Sequence, residues 1–256
     1  MRVVLTFIIY ITIYRMTQTR KKTKEKSGPK IETVHVVNLD RDIKRWTALE
    51  PKLKNISPLP QRWTAVYGKD LVRTDMHKLG VGFVMVHSGK GTYAQQHKDL
   101  RNLGTVGCFL SHKALLSSLS NINLPDDAAH LVLEDDIEVP KNFLKANDRW
   151  SKLNAQIPQD WDIVYLGIHN PIGKLVKPNI LKLTHATQDQ GNWGTHAYII
   201  RHGALKDKVL PWLTYMIDAI DLQLNIKFDE WNVYSIQPDI IKLNKKQAQK
   251  STIQTM

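Results

Sequence analysis

From residue 31 onward, short apolar runs recur along the chain, each followed by a stretch of mixed polarity. Val34–Leu39 (VHVVNL) reads as a buried strand, and Asp42–Leu53 as a helix stopped before Pro58 and Pro60. Arg62–Tyr67 predicts a second strand, ended by Gly68, and residues 68–91, rich in Gly and His, predict a long loop region. A helix capped by Thr105 is expected to run to Ser120, with Phe109, Leu110, Leu116 and Leu119 among its apolar positions. His130–Glu134 predicts a strand, Pro140–Leu153 a helix with proline in its first turn, and Asp162–Gly167 a further strand. Trp193–Arg201 follows as a strand, then a helix from Gly203, a helical Asp218–Phe228 and a last strand at Trp231–Ile236. Strands alternating with helices predict an α/β sandwich around a central, mostly parallel sheet.

Ahead of this pattern, residues 3–14 are an unbroken run of apolar, Tyr and Thr residues. The run is shorter than the roughly 20 apolar residues of a spanning helix, and no small-residue cleavage site follows it. Ser27-Gly28-Pro29 marks a linker. The expected division is residues 1–30 as a short apolar segment and basic linker, a candidate membrane anchor, and residues 31–256 as one domain. Basic residues on the C-terminal flank of the run would keep that domain on the cytoplasmic side. The alternative is a frayed terminus with no role.

Composition narrows the class. In 256 residues, 42% are hydrophobic and 23% charged, which excludes global disorder. Cys108 is the one cysteine, so an internal disulfide and a Cys-rich zinc site are excluded. The net charge of +12 suggests an anionic partner until it is divided along the chain. Residues 1–30 carry +7 and residues 242–256 carry +4, which leaves the body at +1. A nucleic-acid binder would carry its charge on the fold, so nucleic acid is not the expected partner.

The sharpest chemical signal is LVLEDDIEVP, residues 131–140. A buried strand ends abruptly in Glu134, Asp135 and Asp136, where carboxylates of an open α/β sheet face the ligand crevice. Alternation turns Glu134 and Asp136 one way and Asp135 the other. Two carboxylates on one face can hold a hard cation such as Mg²⁺ or Mn²⁺, which could bridge the phosphates of a nucleotide. A solvated acidic turn capping the next helix is the competing reading. Asp218 and Asp221 share a face if their segment is helical. There they are a general base in a partly apolar pocket or simple charges at a helix N-terminus. Gly89-Lys90-Gly91-Thr92 lacks the glycine spacing of a phosphate loop. Ser111 and His112 are adjacent, the wrong geometry for a catalytic pair, and Cys108 on the same helix reads as buried packing.

Taken in order, VHVVNLDRDIKRW (34–46), TAVYGKDL (64–71), GTVGCFLSHKAL (104–115), LVLEDDIEV (131–139), WDIVYLG (161–167), GTHAYIIRHGA (194–204) and the Asp221–Leu224 D-x-x-L resemble glycosyltransferase family 25. That family includes lipooligosaccharide and procollagen galactosyltransferases. KSTIQ (250–254) resembles the close of some members.

The resemblance implies a Rossmann-like GT-A fold over residues 31–256. It also implies a metal-dependent, inverting transferase that moves a hexose, galactose or glucose, from a UDP-sugar to a glycan, lipid-linked or protein acceptor. On it, Glu134 and Asp136 match the metal motif, with Asp135 beside them at the nucleotide. Asn38, Asp40 and Arg45 match the first-strand motif near the nucleotide, and Ser111 and His112 match an L-S-H near the donor. Asp221 becomes the acceptor-side base, ahead of Asp218. A third metal ligand is not evident; His196 is the one candidate. Asn38 as a strand-end cap and Arg45 as helix cover remain the plainer readings of those two. Lys245, Lys246 and Lys250 are expected near the donor pyrophosphate. The rivals are a basic nucleic-acid or membrane-surface binding protein on a degenerate enzyme fold, and another metal-dependent nucleotide transferase.

Overall fold

The computed structural model describes residues 28–54, 56–71, 78–81, 103–144 and 148–244. The apolar run 3–14, the Gly89–Thr92 segment and the C-terminal lysines from 245 onward lie outside them. Among the described residues no helix is long and apolar enough to cross a membrane.

The expected α/β sandwich is present, built on an eight-stranded sheet. Its strands are β1 (Lys30–Asn38), β2 (Gln61–Thr64), β3 (Ala128–Glu134), β5 (Ile163–His169), β6 (Gly173–Lys177), β7 (Ile180–Leu183), β8 (Trp193–Arg201) and β9 (Val233–Ile236). β4 (Ile137–Glu138) pairs instead with β10 (Lys242–Leu243) in a small antiparallel ribbon. The order across the large sheet is β2-β1-β3-β8-β5-β9-β7-β6. The sheet is mixed. β1 pairs in parallel with β2 and β3, and β5 with β9. β8 runs antiparallel between β3 and β5, and the β6–β7 hairpin closes the far edge.

Helices cover both faces of the middle of the sheet, which is why the central strands β3, β5 and β8 read as continuous apolar runs rather than alternating ones. α2 (Leu103–Ser120) and α6 (Ile220–Asn225) cover one face, with Phe109, Leu116 and Leu224 packed on Val132, Tyr165 and Tyr198. α1 (Ile43–Leu53) and α3 (Arg149–Asn154) cover the other, with Leu49, Leu53 and Trp150 packed on Val36, Leu133 and Ile199. Neighbouring strand residues divide between the two cores as pleating requires: Val132 and Tyr198 to the first, Leu133 and Ile199 to the second. Between β8 and α6 the chain is helical through α4 (His202–Ala204), a π turn (Leu205–Val209) and α5 (Leu210–Trp212).

Three sequence expectations change. α2 begins by Leu103, so Thr105 lies inside the helix instead of capping it. Among the described residues of the expected Pro140–Leu153 helix, those ahead of Arg149 are not helical, and the helix is Arg149–Asn154. Leu144 takes a positive φ of 61°, and Asp148 starts the helix afresh, accepting hydrogen bonds from the Ser151 amide at 2.6 Å and the Leu144 amide at 2.7 Å. The segment holding Asp218 and Asp221 becomes helical only at Ile220, after Ala219 in an extended conformation, so the two acids do not share a helix face.

A chain of buried histidines crosses β1, β3 and the start of α4. Thr33 Oγ1 lies 2.8 Å from His130 Nδ1, and His130 Nε2 lies 2.9 Å from His202 Nδ1. Burial, aided by the neighbouring His202 and His35, pushes His130 down to about 4. The unfolded chain therefore binds more protons than the fold between pH 6.5 and 4, so this contribution is present above 6.5 and is lost on acidification. It amounts to on the order of 3 kcal/mol at most. Guanidinium unfolding midpoints should drop steadily from pH 7 to pH 4.5, and the drop should be shallower in His130→Gln.

Candidate active site

The C-terminal ends of β1 and β3 lie side by side, with Val37 opposite Glu134, and the segments leaving the two strands meet there. Asp135 is 9% exposed and Asn38 1%. The Asn38 amide donates to Asp135 Oδ2 at 2.6 Å, and Arg45 from α1 donates to Asp135 Oδ1 at 3.2 Å. Asn38 also donates to the Asp42 carbonyl and accepts from Arg62 Nε at 2.6 Å. Arg62 in turn holds the exposed carboxylate of Asp40 at 2.5 Å. Burial pushes the Asp135 carboxyl up, against the pull of Asn38 and Arg45.

Asp135 is thus occupied by its own fold, while the carboxylates on either side of it line a pocket. Its wall includes Asn38, Arg45, Cys108, His112, Glu134 and Asp136. Glu134 Oε1 accepts from Thr195 Oγ1 at 2.8 Å and stands 3.4 Å from His112 Nε2. Burial works to raise the Glu134 carboxyl, but His112 and Thr195 outweigh it and hold it below the ordinary carboxylate range. Asp136 has weaker help, from the Arg45 charge and a backbone hydrogen bond. Burial, then the charges of Glu134 and Asp135, push it up to about 7, and its Oδ1 has no hydrogen-bond partner among the described residues. A crowded, oxygen-rich pair with an orphaned carboxylate oxygen fits a hard divalent cation.

The opposite wall depends on glycine. A Cβ on Gly107 of α2 would stand 2.7 Å from the Val66 carbonyl oxygen, and one on Gly68 would stand 1.7 Å from that of Leu103. The loop after β2 lies directly on the helix for this reason. Ser111 pins it: its hydroxyl accepts from the Val66 amide at 2.8 Å and donates to the Gly107 carbonyl at 2.6 Å.

Asp221, first-turn residue of α6, is half-buried. Its Oδ2 accepts from the Gly194 amide at 2.7 Å and its Oδ1 from its neighbour Leu222 at 2.9 Å. Its charge, like those of Glu134 and Asp136, raises the Cys108 thiol, so Asp221 lies within electrostatic reach of the pocket wall without lining the pocket itself. Asp218 is 2% exposed, and its Oδ1 accepts from Ala219.

The sequence candidates therefore divide. Glu134, Asp136 and His112 line one pocket, and Asp221 stands outside its lining, bonded to Gly194 and Leu222. Asn38, Arg45, Asp135 and Ser111 line the pocket too, but spend hydrogen bonds on holding it together. Asp40 is exposed at the rim, and Asp218 is sealed away. His196 is buried against His169, ring centroids 5.4 Å apart, and lines a separate cleft of about 580 Å³. Cys108 packs against the core as expected, but it is only half-buried and also lines the pocket. Thr195, Tyr198 and Arg62 carried no local signal of their own, because each reaches the site by pairing across the sheet.

Comparison with known proteins gives the family. Residues 31–222 match the profile of glycosyltransferase family 25, described as an LPS biosynthesis protein family. A "Glycosyltransferase 25 family member" of Drosophila pseudoobscura pseudoobscura is 25% identical over 229 residues, 87% of this chain and 35% of the relative. "Procollagen galactosyltransferase 1-A" of Xenopus laevis is 34% identical over 103 residues, 40% of this chain and 16% of the relative. "Procollagen lysyl hydroxylase and glycosyltransferase" of Acanthamoeba polyphaga mimivirus is 25% identical over 158 residues, 55% of this chain and 17% of the relative. The chain spans about a third of the length of the insect relatives that it matches most fully.

Replacing Asn38 by Ala removes the amide on Asp135 and the acceptor for Arg62, leaving a buried carboxylate underpaired. A loss of roughly 2 kcal/mol is expected by denaturant unfolding. Asp40→Ala, at the exposed rim, should stay within about 0.5 kcal/mol of the parent.

Proposed function

The chain belongs to glycosyltransferase family 25, and on that premise we propose that it moves a hexose, galactose or glucose, from a UDP-sugar to a hydroxyl of a glycan, lipid-linked or protein acceptor, inverting the anomeric carbon. The observation that carries the reading is the pair Glu134 and Asp136 lining one pocket at the strand ends, with the Asp221 carboxylate near enough to act on the Cys108 thiol in its wall. Two carboxylates suit a cation and the third suits a proton acceptor.

Glu134 and Asp136 would hold Mn²⁺ or Mg²⁺, which when bound neutralises the charge of the departing diphosphate. Glu134 is pre-aimed by Thr195 and His112, so little reorganisation is needed there. Arg45, fixed by Asp135 at the pocket wall, adds positive charge on the same side. Asp221 would take the proton of the attacking hydroxyl. Its two backbone donors fix the carboxylate without consuming all of its lone pairs, and its half-buried position leaves it open to a hydroxyl. Asp218, fully enclosed, is set aside as the base. Direct displacement needs no covalent intermediate on the protein. The partners implied are a nucleotide-sugar donor and a hydroxyl-bearing acceptor. We further propose that residues 1–30 tether the domain to a membrane.

A screen of UDP-, GDP- and CMP-sugars with and without Mn²⁺ tests the donor class, and turnover should be confined to UDP-hexoses. Asp136→Ala should abolish turnover and weaken Mn²⁺-dependent UDP binding by calorimetry; near-parental turnover would overturn the metal assignment. Asp221→Asn should lower kcat by about 10²–10⁴-fold with KM for the UDP-sugar little changed.

A further inference from the structure

Cys108 and His112 stand one turn apart on α2 and project from the same helix face. Glu134 reaches the same point from the end of β3. One donor atom from each of the three lies within 4.8 Å of the other two. His112 is fully buried, its Nδ1 lies 3.1 Å from the Tyr198 hydroxyl, and that contact fixes the ring. Its Nε2 makes no hydrogen bond among the described residues and faces Glu134 Oε1 at 3.4 Å. When Nδ1 donates to Tyr198, Nε2 turns a lone pair toward a carboxylate. A cation between the two would satisfy both groups in that tautomer, and a hydrogen bond to the far ring nitrogen is how a metal-ligating histidine is oriented.

We propose that Cys108, His112 and Glu134 form a site for a thiophilic divalent cation, represented by Zn²⁺, which shares Glu134 with the hard-cation pair. Tetrahedral zinc with ligands at about 2.0–2.3 Å separates its donor atoms by about 3.5 Å, so the three side chains need to close by little more than about 1 Å. Binding breaks the Cys108 S–H bond, releases that proton to water, and forms a Zn–S bond beside Zn–N and Zn–O bonds; zinc stays divalent and water takes the fourth position. The donor set is one nitrogen, one sulfur and one oxygen, which selects zinc over magnesium. The inhibitory consequence rests on the proposed role of Glu134: with Glu134 drawn to zinc, Asp136 is left without its partner for the hard cation, and Zn²⁺ opposes Mn²⁺ or Mg²⁺. The binding itself does not rest on that role.

Because Cys108 is the one thiol in the chain, its alkylation reports on this site alone in the native protein. Zn²⁺ at micromolar concentration should slow iodoacetamide labelling of the full-length chain by about tenfold or more, and millimolar Mg²⁺ should not. His112→Gln should return labelling in the presence of Zn²⁺ to the zinc-free rate. Co²⁺ should give a thiolate charge-transfer band in the near ultraviolet that Zn²⁺ bleaches, that Cys108→Ser loses and that Asp136→Asn keeps. Equal labelling rates with and without Zn²⁺, or a cobalt band that survives Cys108→Ser, overturns the proposal. Asp136→Asn separates the two readings: unchanged Mn²⁺-dependent UDP binding in that variant counts against the donor site and leaves the zinc site standing.

Discussion

The buried bond between Asn38 and Asp135 holds the ends of two parallel strands at one level, and the pocket is arranged around it. A carboxylate taken out of water needs compensating partners. Asp135 finds an amide on the neighbouring strand and a guanidinium on the helix beyond that strand. Arg62 extends the chain of polar contacts to β2. Four segments are thereby tied to one side chain. The same bond divides labour among three consecutive acids: with Asp135 turned into the fold, Glu134 and Asp136 are left facing the pocket at close quarters, and their mutual repulsion becomes a stored preference for positive charge.

The opposite wall is set by the absence of side chains. Backbone of the loop after β2 touches backbone of α2 at Gly68 and Gly107, and Ser111 closes the contact with two hydrogen bonds. Helix α2 carries Cys108 and His112 to the pocket at the same depth as the carboxylates. The site thus joins two faces of the sheet, Arg45 coming from α1 on one side and His112 from α2 on the other.

Much of this was legible because burial on both faces leaves a plain trace: VHVVNL and LVLEDD are apolar runs that stop at polar residues, and those residues are where the site lies. The α/β order came from the same runs. Other features arise from contacts that local pattern does not encode. Apolar periodicity through Met216–Leu224 hides the extended Ala219 that separates Asp218 from Asp221. The β6–β7 hairpin went unread because every residue of β6 is exposed, so GKLVK carries no burial signal. Cys108 sits on a helix buried nearly all round and reads as packing; a pocket formed by β1, β3 and the loop after β2 opens one side of it. The direction of β8 is likewise invisible in its own residues, and so the sheet is mixed where alternating strands and helices predict a mostly parallel one.

β8 enters against the grain of β3, so its first residues, and not its last, arrive at the site. Thr195 and Gly194 meet residues 61 and 27 positions away, and Asn38 meets one 97 positions away. Contacts of such sequence separation carry a loop-closure cost that must be met before they are rewarded. A nascent chain that has made β1 through β3 already holds the three acids but lacks both Thr195 and Asp221. If the proposed donor site is right, nucleotide binding at this pocket requires β8 to be in place in the middle of the sheet, and so reports on the completed fold rather than on β1 to β3 alone.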